Sequence, residues 1–445
     1  MPAVRPAAEA VSSRSERPGR LIPEGRESWR HLADHLATHG PLPLPHRHGG
    51  SWSDELIAAV ASSGLAGRGG GGFPAARKWE ALRARRIHPD LIVNAMEGEP
   101  ASQKDQVLLA VAPHLVLDGA ELVAAILSAR AVTVCVPDDR PDTASHVAAA
   151  LAERVGAGLG RPDVKIVRPP RRYITGEESA LVKWIGGGFA RPQFRATKAH
   201  PLSVGRRPVL IQNAETLAHV ALVARHGPDW FRQAGTPDAP GTCLVTVSGA
   251  VDRPGVYEIE LGTPVRDVLG RAGRHQTSGV LLGGYGGAWL APDRIETPYA
   301  PGPLARVGAG VGAGVIAALP SGACGVSETA RVAAYMANES AGQCGPCLFG
   351  LHAVAQDLVD LARADGDRNT FTRLRTRLGV IDGRGACAHP DGVVRMVRSA
   401  LEVFAADFAE HARHRPCAAW NGQPVLPVPH SAADAVRRRR WAGMG

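Results

Sequence analysis

Aromatic residues make up only 5% of this 445-residue chain, and lysine is scarcer still, at five of the 51 Lys+Arg. A surface that binds nucleic acid interleaves cations with aromatic platforms. Here the net charge of +9 rests on 51 Lys+Arg against 42 Asp+Glu, with no basic face to the pattern, so nucleic acid is not an expected partner. The one basic block, Arg437 to Arg440, reads as a solvated end. Cysteine is sparse too. Seven cysteines, an odd number spread over a long chain, do not make a disulfide framework. Residues 1–30 carry charges throughout and no apolar h-region. Both points lead to the expectation of a reducing, cytoplasmic compartment. Long apolar runs are missing as well. The longest uncharged stretch, Val307 to Ser327, is diluted by six glycines and Pro320, so direct membrane insertion is not expected. It reads instead as a glycine-rich loop followed by a buried strand, Gly314 to Leu319.

What is present is enough apolar residue, 44%, for a sizeable core and a length that suggests two to four domains. Residues 1–50, rich in Pro, Arg, Ser and His, read as a poorly ordered lead-in. From 51 to 240, helix and strand alternate: a helix from Asp54 to Leu65 with Ser53 as its cap, a short helix around Arg77 to Arg86, strands at Asp90–Ala95, Ala131–Val136 and Val164–Val167, and a helix at Thr143–Val155. That order predicts an α/β layer with largely parallel strands. From 241 to 325 the texture changes. Thr242–Ser248 and Gly255–Glu260 form a hairpin, and Thr263 caps a helix from Pro264 to Ala272, which suggests a small β-grasp-like module. From 326 to 415 helical stretches at 327–340, 346–364, 369–379 and 391–414 suggest a four-helix bundle. Residues 416–445 return to Pro and Arg and read as a tail.

Four clusters carry the chemistry. Gly67-Arg68-Gly69-Gly70-Gly71-Gly72 satisfies G-x-G-x-x-G, but it follows a helix where a dinucleotide-binding unit needs a strand. A bare glycine run is either a flexible loop or a backbone cradle whose N–H groups close on a phosphate or a flat ring. Arg68 and Lys78 are then either phosphate partners or surface cations. Asn94-Ala95-Met96-Glu97-Gly98-Glu99-Pro100 lies beyond a strand end, where open α/β sheets bind ligands. Tyr173 to Leu181 places Glu177 and Glu178 at a turn opening a helix, where carboxylates also serve as ordinary dipole partners. Gln212 to Leu217 runs from strand to helix, with Asn213 a credible cap.

In this order the four clusters resemble the family of NADH- and FMN-binding flavoprotein subunits (the F subunits) of bacterial respiratory complex I, and the related subunits of NAD-linked hydrogenases and formate dehydrogenases. The resemblance spans roughly residues 54–405. Gly64 to Pro74, followed by Lys78-Trp79, matches the family's G-L-x-G-R-G-G-x-G-F-P signature, and Arg253 to Tyr257 is similar to its soluble-ligand-binding β-grasp domain. The resemblance implies an α/β FMN-binding domain, a β-grasp domain and a C-terminal four-helix iron–sulfur bundle. It implies that Gly67, Arg68, Gly69, Lys78, Asn94, Tyr173, Gly176, Asn213 and Thr216 contact FMN, in a pocket that Glu97 and Glu177 also line. It implies that Gly70, Phe73, Lys78, Glu99 and Glu178 position NADH. No side chain is expected to do covalent chemistry; Glu99 and Glu178 lie nearest the reacting rings, and the cofactors carry the reaction. Met96 stands where the family has Asp, Gln212 replaces the first of two Asn, Arg171-Arg172 replaces a Gly-Ala lead, and Ala199-His200-Pro201 replaces most of a Pro-Pro-Phe-Pro stretch.

Cys344-Gly345-Pro346-Cys347 admits three origins: a thioredoxin-like dithiol, buried structural cysteines, or iron–sulfur ligation closed by the distant Cys387. The family pattern is E-S-C-G-x-C-x-P-C with a fourth Cys about forty residues on. Here it reads Glu339-Ser340-Ala341-Gly342-Gln343-Cys344-Gly345-Pro346-Cys347, so the first ligand is Ala341. The resemblance implies a 4Fe–4S cluster, or a 3Fe–4S cluster for want of that thiolate, held by Cys344, Cys347 and Cys387, with Cys324 and His389 in sequence reach as a fourth ligand. The expected activity is that of an NADH:acceptor oxidoreductase component passing electrons from NADH through FMN to the cluster. The expected partner is a ferredoxin-like or two-iron-cluster electron-transfer subunit, with membrane association only peripheral, through a complex. The departures mark a divergent paralogue, and the alternative is a cofactor-depleted chain that serves as a partner-binding scaffold.

Overall fold

The computed structural model describes residues 19–23, 28–44, 50–159, 164–194 and 201–429. Its first layer is a five-stranded sheet of β1 (Asp90–Asn94), β2 (Val132–Cys135), β3 (Val164–Val167), β4 (Leu202–Val204) and β5 (Arg207–Asn213), in the order β3-β2-β1-β5-β4. All pairs are parallel except β4 with β5 at one edge. The apolar run Leu91-Ile92-Val93 suits a strand covered on both faces. Leu91 and Val93 pack into the main helical core, while Ile92 joins Met96, Cys135, Leu181 and Ile211 on the other side. The helices of this layer are α1 (Leu32–His39), α2 (Gly50–Ser63), α3 (Ala75–Ala84), α4 (Lys104–Val111), α5 (Pro113–Leu127), α6 (Pro141–Gly156), α7 (Glu178–Ile185) and α8 (Ala214–Arg232).

Two expectations for this layer change. The lead-in is built into the fold where it is described, because it carries apolar anchors and a buried ionic partner. Leu21 and Trp29 are buried, the Leu21 amide donates to Glu258 at 2.8 Å, and His35 pairs with Asp118 at 2.8 Å. Second, α2 begins at Gly50, so Ser53 lies inside the helix and does not cap it.

The second layer follows a two-stranded ladder, β6 (Gly235–Thr236) with β7 (Ala239–Pro240). Its strands are β8 (Thr242–Gly249), β9 (Gly255–Glu260), β10 (Thr277–Leu282), β11 (Ala288–Leu290) and β12 (Val315–Pro320), ordered β11-β10-β12-β8-β9. β12 and β8 are parallel and the other pairs antiparallel. The helix α9 (Val265–Arg271) buries Val265, Val268 and Leu269 against Val245, Val247 and Ile259. It starts after Pro264, so Thr263 closes a turn by donating to the Glu260 carbonyl at 2.8 Å in place of capping the helix. A short helix, α10 (Pro301–Arg306), leads to β12.

The remainder is helical: α11 (Gly325–Asn338), α12 (Leu351–Ala362), α13 (Thr370–Ile381), α14 (His389–Val403) and α15 (Ala405–His411). The last expected stretch is broken in two at Phe404, whose ring is held edge-on against Trp289 at 5.1 Å. The expected tail is also fixed as far as residue 429. Leu426 is buried, and the Val425 and Leu426 amides donate to Glu328 at 3.2 and 3.0 Å. Arg437 to Arg440 lie outside the described residues, as do Ala199 and His200. Among the described residues no single helix is long and apolar enough to cross a membrane.

Candidate functional site

The parallel order β3-β2-β1-β5 places successive crossovers on opposite sides of β1, so the chain reverses direction across the sheet between β1 and β5. That is the point at which open α/β sheets leave a crevice beyond their carboxyl ends. Asn94 and Asn213 are register partners at those two ends. Asn94 Nδ2 donates to the Gly176 carbonyl at 3.0 Å. Asn213 accepts the Glu215 amide at 3.1 Å, capping α8 as its sequence predicts, and its Nδ2 donates to Asp105 at 2.7 Å.

The glycine cluster forms a loop pinched at its base, where the Gly67 amide donates to the Phe73 carbonyl at 2.9 Å. A Cβ on Gly69 would lie 3.2 Å from the Asn213 Cβ, so the bare backbone of the loop rests directly on the strand end. Gly69 to Phe73 are exposed. Arg68 is neither a surface cation nor turned to the loop's open side. Its guanidinium is buried and donates to the carbonyls of Thr242 at 3.1 Å and Ala66 at 3.0 Å. Its amide donates to Thr216 Oγ1 at 2.9 Å. Lys78 pairs with Glu178 Oε1 at 2.7 Å, joining α3 to the start of α7. Glu177 caps α7 by accepting the Ala180 amide at 2.9 Å.

The loop after β1 forms the opposite wall. A Cβ on Gly98 would sit 2.7 and 2.8 Å from the carbonyl oxygens of Arg172 and Tyr173, so only glycine lets these two segments meet. Met96, where a carboxylate was expected, is buried among Ile92, Leu181 and Ile211. Glu97 accepts Ser102 Oγ at 2.8 Å and the amides of Asp105 and Gln106 at 3.0 and 3.1 Å, capping α4. Desolvation, then the nearby Asp105, holds its carboxyl above the usual range. Glu99 is buried and accepts the Tyr285 amide at 2.7 Å and the Ala101 amide at 3.2 Å. Burial lifts its carboxyl to about 7 despite those two donors, Arg171 and Tyr173. The Tyr173 ring lies edge-on to Tyr335 and His389 at 6.3 and 5.4 Å. Burial raises its hydroxyl well above 10, so it stays protonated.

Several contributors were given no role by the sequence motifs. Lys104 is buried between Asp105 at 2.9 Å and Glu215 at 2.8 Å. Burial works against its charge, and the two carboxylates outweigh burial, raising its pKa. Glu215 also accepts the Leu244 amide of β8 at 2.9 Å. Glu339, from the helical region, accepts the Tyr173 amide at 2.8 Å and so ties the crevice wall to the cysteine turn. Glu215 and Glu339 fall inside quoted motifs that assigned them no role, and no motif marks Lys104.

The cysteines meet beyond α11. Cys347 lies in a single π-turn, Pro346–Gly350, that opens into α12, Cys344 lies two residues before that turn, and Cys387 lies just before α14. No strand precedes the motif, which removes the thioredoxin-like context. Burial, then the neighbouring Cys344 and Cys387, pushes the Cys347 thiol up to about 12, against a lowering from the Ala341 backbone. Three soft sulfur donors suit iron. Of the fourth-ligand candidates, His389 donates through Nε2 to the Met336 carbonyl at 2.8 Å, and its buried Nδ1 has no partner. Cys324 is excluded by distance. It caps the start of α11, whose 14 residues put it about 20 Å from the cysteine turn at the other end.

The crevice fits a flat, phosphate-bearing group. Its glycine wall is open backbone, and among the described residues the buried Thr175 Oγ1 and Gln212 Nε2 beside it lack partners. An open α/β crevice, a second sheet and a cysteine-bearing helical end together define a flavin and iron–sulfur electron-transfer architecture. Residues 60–222 match the Nuo51 FMN-binding domain, 244–273 the SLBB domain, and 327–411 the NADH-ubiquinone oxidoreductase-F iron-sulfur binding region. The NADH-quinone oxidoreductase F subunit of Streptomyces coelicolor is 30% identical over 379 residues, covering 82% of this chain and 84% of that protein. The F 2 subunit of the same enzyme in Rhizobium meliloti is 29% identical over 380 residues, covering 82% and 90%. An NAD+-reducing [NiFe]-hydrogenase in its H2-reduced state superposes with a TM-score of 0.73 at 28% identity, covering 92% of this chain and 71% of that one. The chain belongs to the family of NADH-quinone oxidoreductase F subunits.

Proposed function

We propose that this chain oxidises NADH and passes the electrons through FMN and an iron–sulfur cluster to a partner electron-transfer subunit. The observation that carries this is the crevice between β1 and β5, where four separate segments meet closely at Gly69 and Gly98. FMN held there would supply the exchange between two-electron hydride acceptance and single-electron release. The chain's own residues bind and orient. Gly67, Arg68 (through its main chain), Gly69, Asn94, Tyr173, Gly176, Asn213 and Thr216 hold FMN, with Glu97 and Glu177 shaping the loops around it. Gly70, the half-exposed Phe73, Lys78, Glu99 and Glu178 position NADH. Glu99, protonated below about pH 7, offers a hydrogen bond without adding negative charge beside a dinucleotide.

Cys344, Cys347 and Cys387 hold the cluster. His389 Nδ1 is the first protein ligand to examine for the remaining iron. Exposed Leu348 and Phe349, next to Cys347, form the apolar contact for the partner. We assign residues 51–240 to the FMN domain, 241–325 to a β-grasp domain and 326–415 to a four-helix cluster bundle. Family membership does not favour the scaffold alternative.

The test is an ultraviolet–visible spectrum of protein purified without oxygen, before and after NADH, with ferricyanide turnover measured alongside. Flavin bands that bleach with NADH are expected. Colourless protein after FMN reconstitution, correctly folded and inactive, would falsify the proposal.

A further inference from the structure

The start of α11 carries a second group of metal-binding side chains, which plays no part in the proposed electron path. Cys324, His411 and Cys417 come from three places in the sequence: the end of the loop after β12, the last residue of α15, and the segment beyond it. Their ligand atoms all lie within 4.8 Å of one another. The Cys324 Sγ to His411 Nε2 distance is 3.6 Å. A tetrahedral zinc with Zn–S of about 2.3 Å and Zn–N of about 2.0 Å sets a sulfur–nitrogen separation of about 3.5 Å. The imidazole is prepared for a metal. His411 Nδ1 donates to the Leu361 carbonyl at 3.0 Å, which aims Nε2 at the two sulfurs, where its lone pair accepts the Cys417 amide at 3.2 Å, a bond that a metal would replace. Cys324 and His411 are buried, whereas Cys417 is half-buried and leaves one side open to solvent.

We propose that Cys324 Sγ, His411 Nε2 and Cys417 Sγ bind one zinc ion, with solvent as the fourth ligand. Two thiolates and one imidazole select zinc over magnesium or calcium, which take oxygen donors. Binding releases the two thiol protons and involves no oxidation. The ion fixes the chain beyond α15 to the first turn of α11. From Cys417 that chain runs back along α11, with Trp420 O accepting Ser327 Oγ at 2.8 Å and Leu426 N donating to Glu328 at 3.0 Å. It reaches the second sheet, where Tyr285 Oη donates to the Pro427 carbonyl. The site is therefore a staple that orders residues 417–429, at the opposite end of α11 from the cluster.

The experiment is elemental analysis of the full chain purified without chelators, joined to zinc K-edge absorption, which is blind to iron. About one zinc per chain is expected, with two sulfurs and one nitrogen from the protein around it. The Cys324→Ser/Cys417→Ser double variant is expected to lose zinc at least tenfold while keeping its iron. His411→Gln, a milder change, is expected to weaken zinc retention on dialysis. Stripping zinc is expected to speed proteolysis within residues 412–429. Less than about a tenth of a zinc per chain overturns the proposal, as does a Cys324–Cys417 disulfide in the intact mass. Zinc surrounded only by sulfur also overturns it, because that places the ion on Cys344, Cys347 and Cys387. If the double variant does not fold, the wild-type edge spectrum and His411→Gln still decide the matter.

Discussion

The β1/β5 crevice and the cysteine turn are the two binding sites proposed in this chain, yet they are built to respond differently to a missing residue. The crevice is held by overlapping hydrogen bonds. Asn213 joins two strands, a helix and Asp105, and Glu97 has three donors. There Met96 could replace an acidic residue because the position accepts an apolar side chain underneath the wall. At the cysteine turn no other thiolate replaces the one absent at Ala341, and the one replacement donor we propose is the partnerless Nδ1 of His389. Hydrogen-bonded walls tolerate exchange because each group has several partners. A coordination sphere does not, because each donor fills one position.

The comparison can be broken most severely beneath the crevice. Lys104→Met leaves Asp105 and Glu215 buried without their cation, at an expected cost of about 3–5 kcal/mol, read from the urea midpoint. Glu99 gives the next largest effect. Its carboxyl is raised from 4.5 to about 7, so the folded state holds a proton that the unfolded state releases. The stability it contributes is full below pH 4.5 and is lost as pH rises through about 7, a difference of about 3 kcal/mol. Glu99→Gln is expected to flatten that part of the stability–pH curve, and an unchanged curve would count against a raised carboxyl. Gly98→Val drives a side chain into two carbonyls, for about 1–3 kcal/mol and a loss of bound FMN measured by released flavin fluorescence.

Two changes at the cysteine end sharpen the contrast with little effect on stability. Ala341→Cys supplies the absent thiolate and is expected to raise iron per chain and slow cluster loss in air, measured by iron and sulfide content. Phe349→Asp places a charge on the exposed apolar rim. It is expected to slow transfer to the partner subunit several-fold while leaving ferricyanide reduction by NADH unchanged.

Much of the fold was legible because each element had a strong local cause. β1, β2, β3 and α6 fall within a residue or two of their apolar patterns, and Asn213 caps α8 as its side chain dictates. What escaped depended on distant partners. Arg68 looked like a phosphate ligand because nothing local shows the carbonyls of Ala66 and Thr242 waiting for its guanidinium. The lead-in looked loose because its anchors, Asp118 and Glu258, lie far along the chain. Lys104 belongs to no recognisable pattern, and Glu215 sits in a motif that does not show its partner, since a buried ion pair is created by packing. Cys324 seemed free to join the cluster until the length of α11 separated them.

Glu215 has a further consequence. This one carboxylate binds Lys104 at the start of α4 and the Leu244 amide of β8, and it belongs to the first turn of α8. The two sheets therefore share a buried charge that neither can release to water alone. Melting either sheet strands the other's half of the network, so heat is expected to unfold them in one calorimetric transition, with the flavin crevice lost at the same temperature as the second sheet.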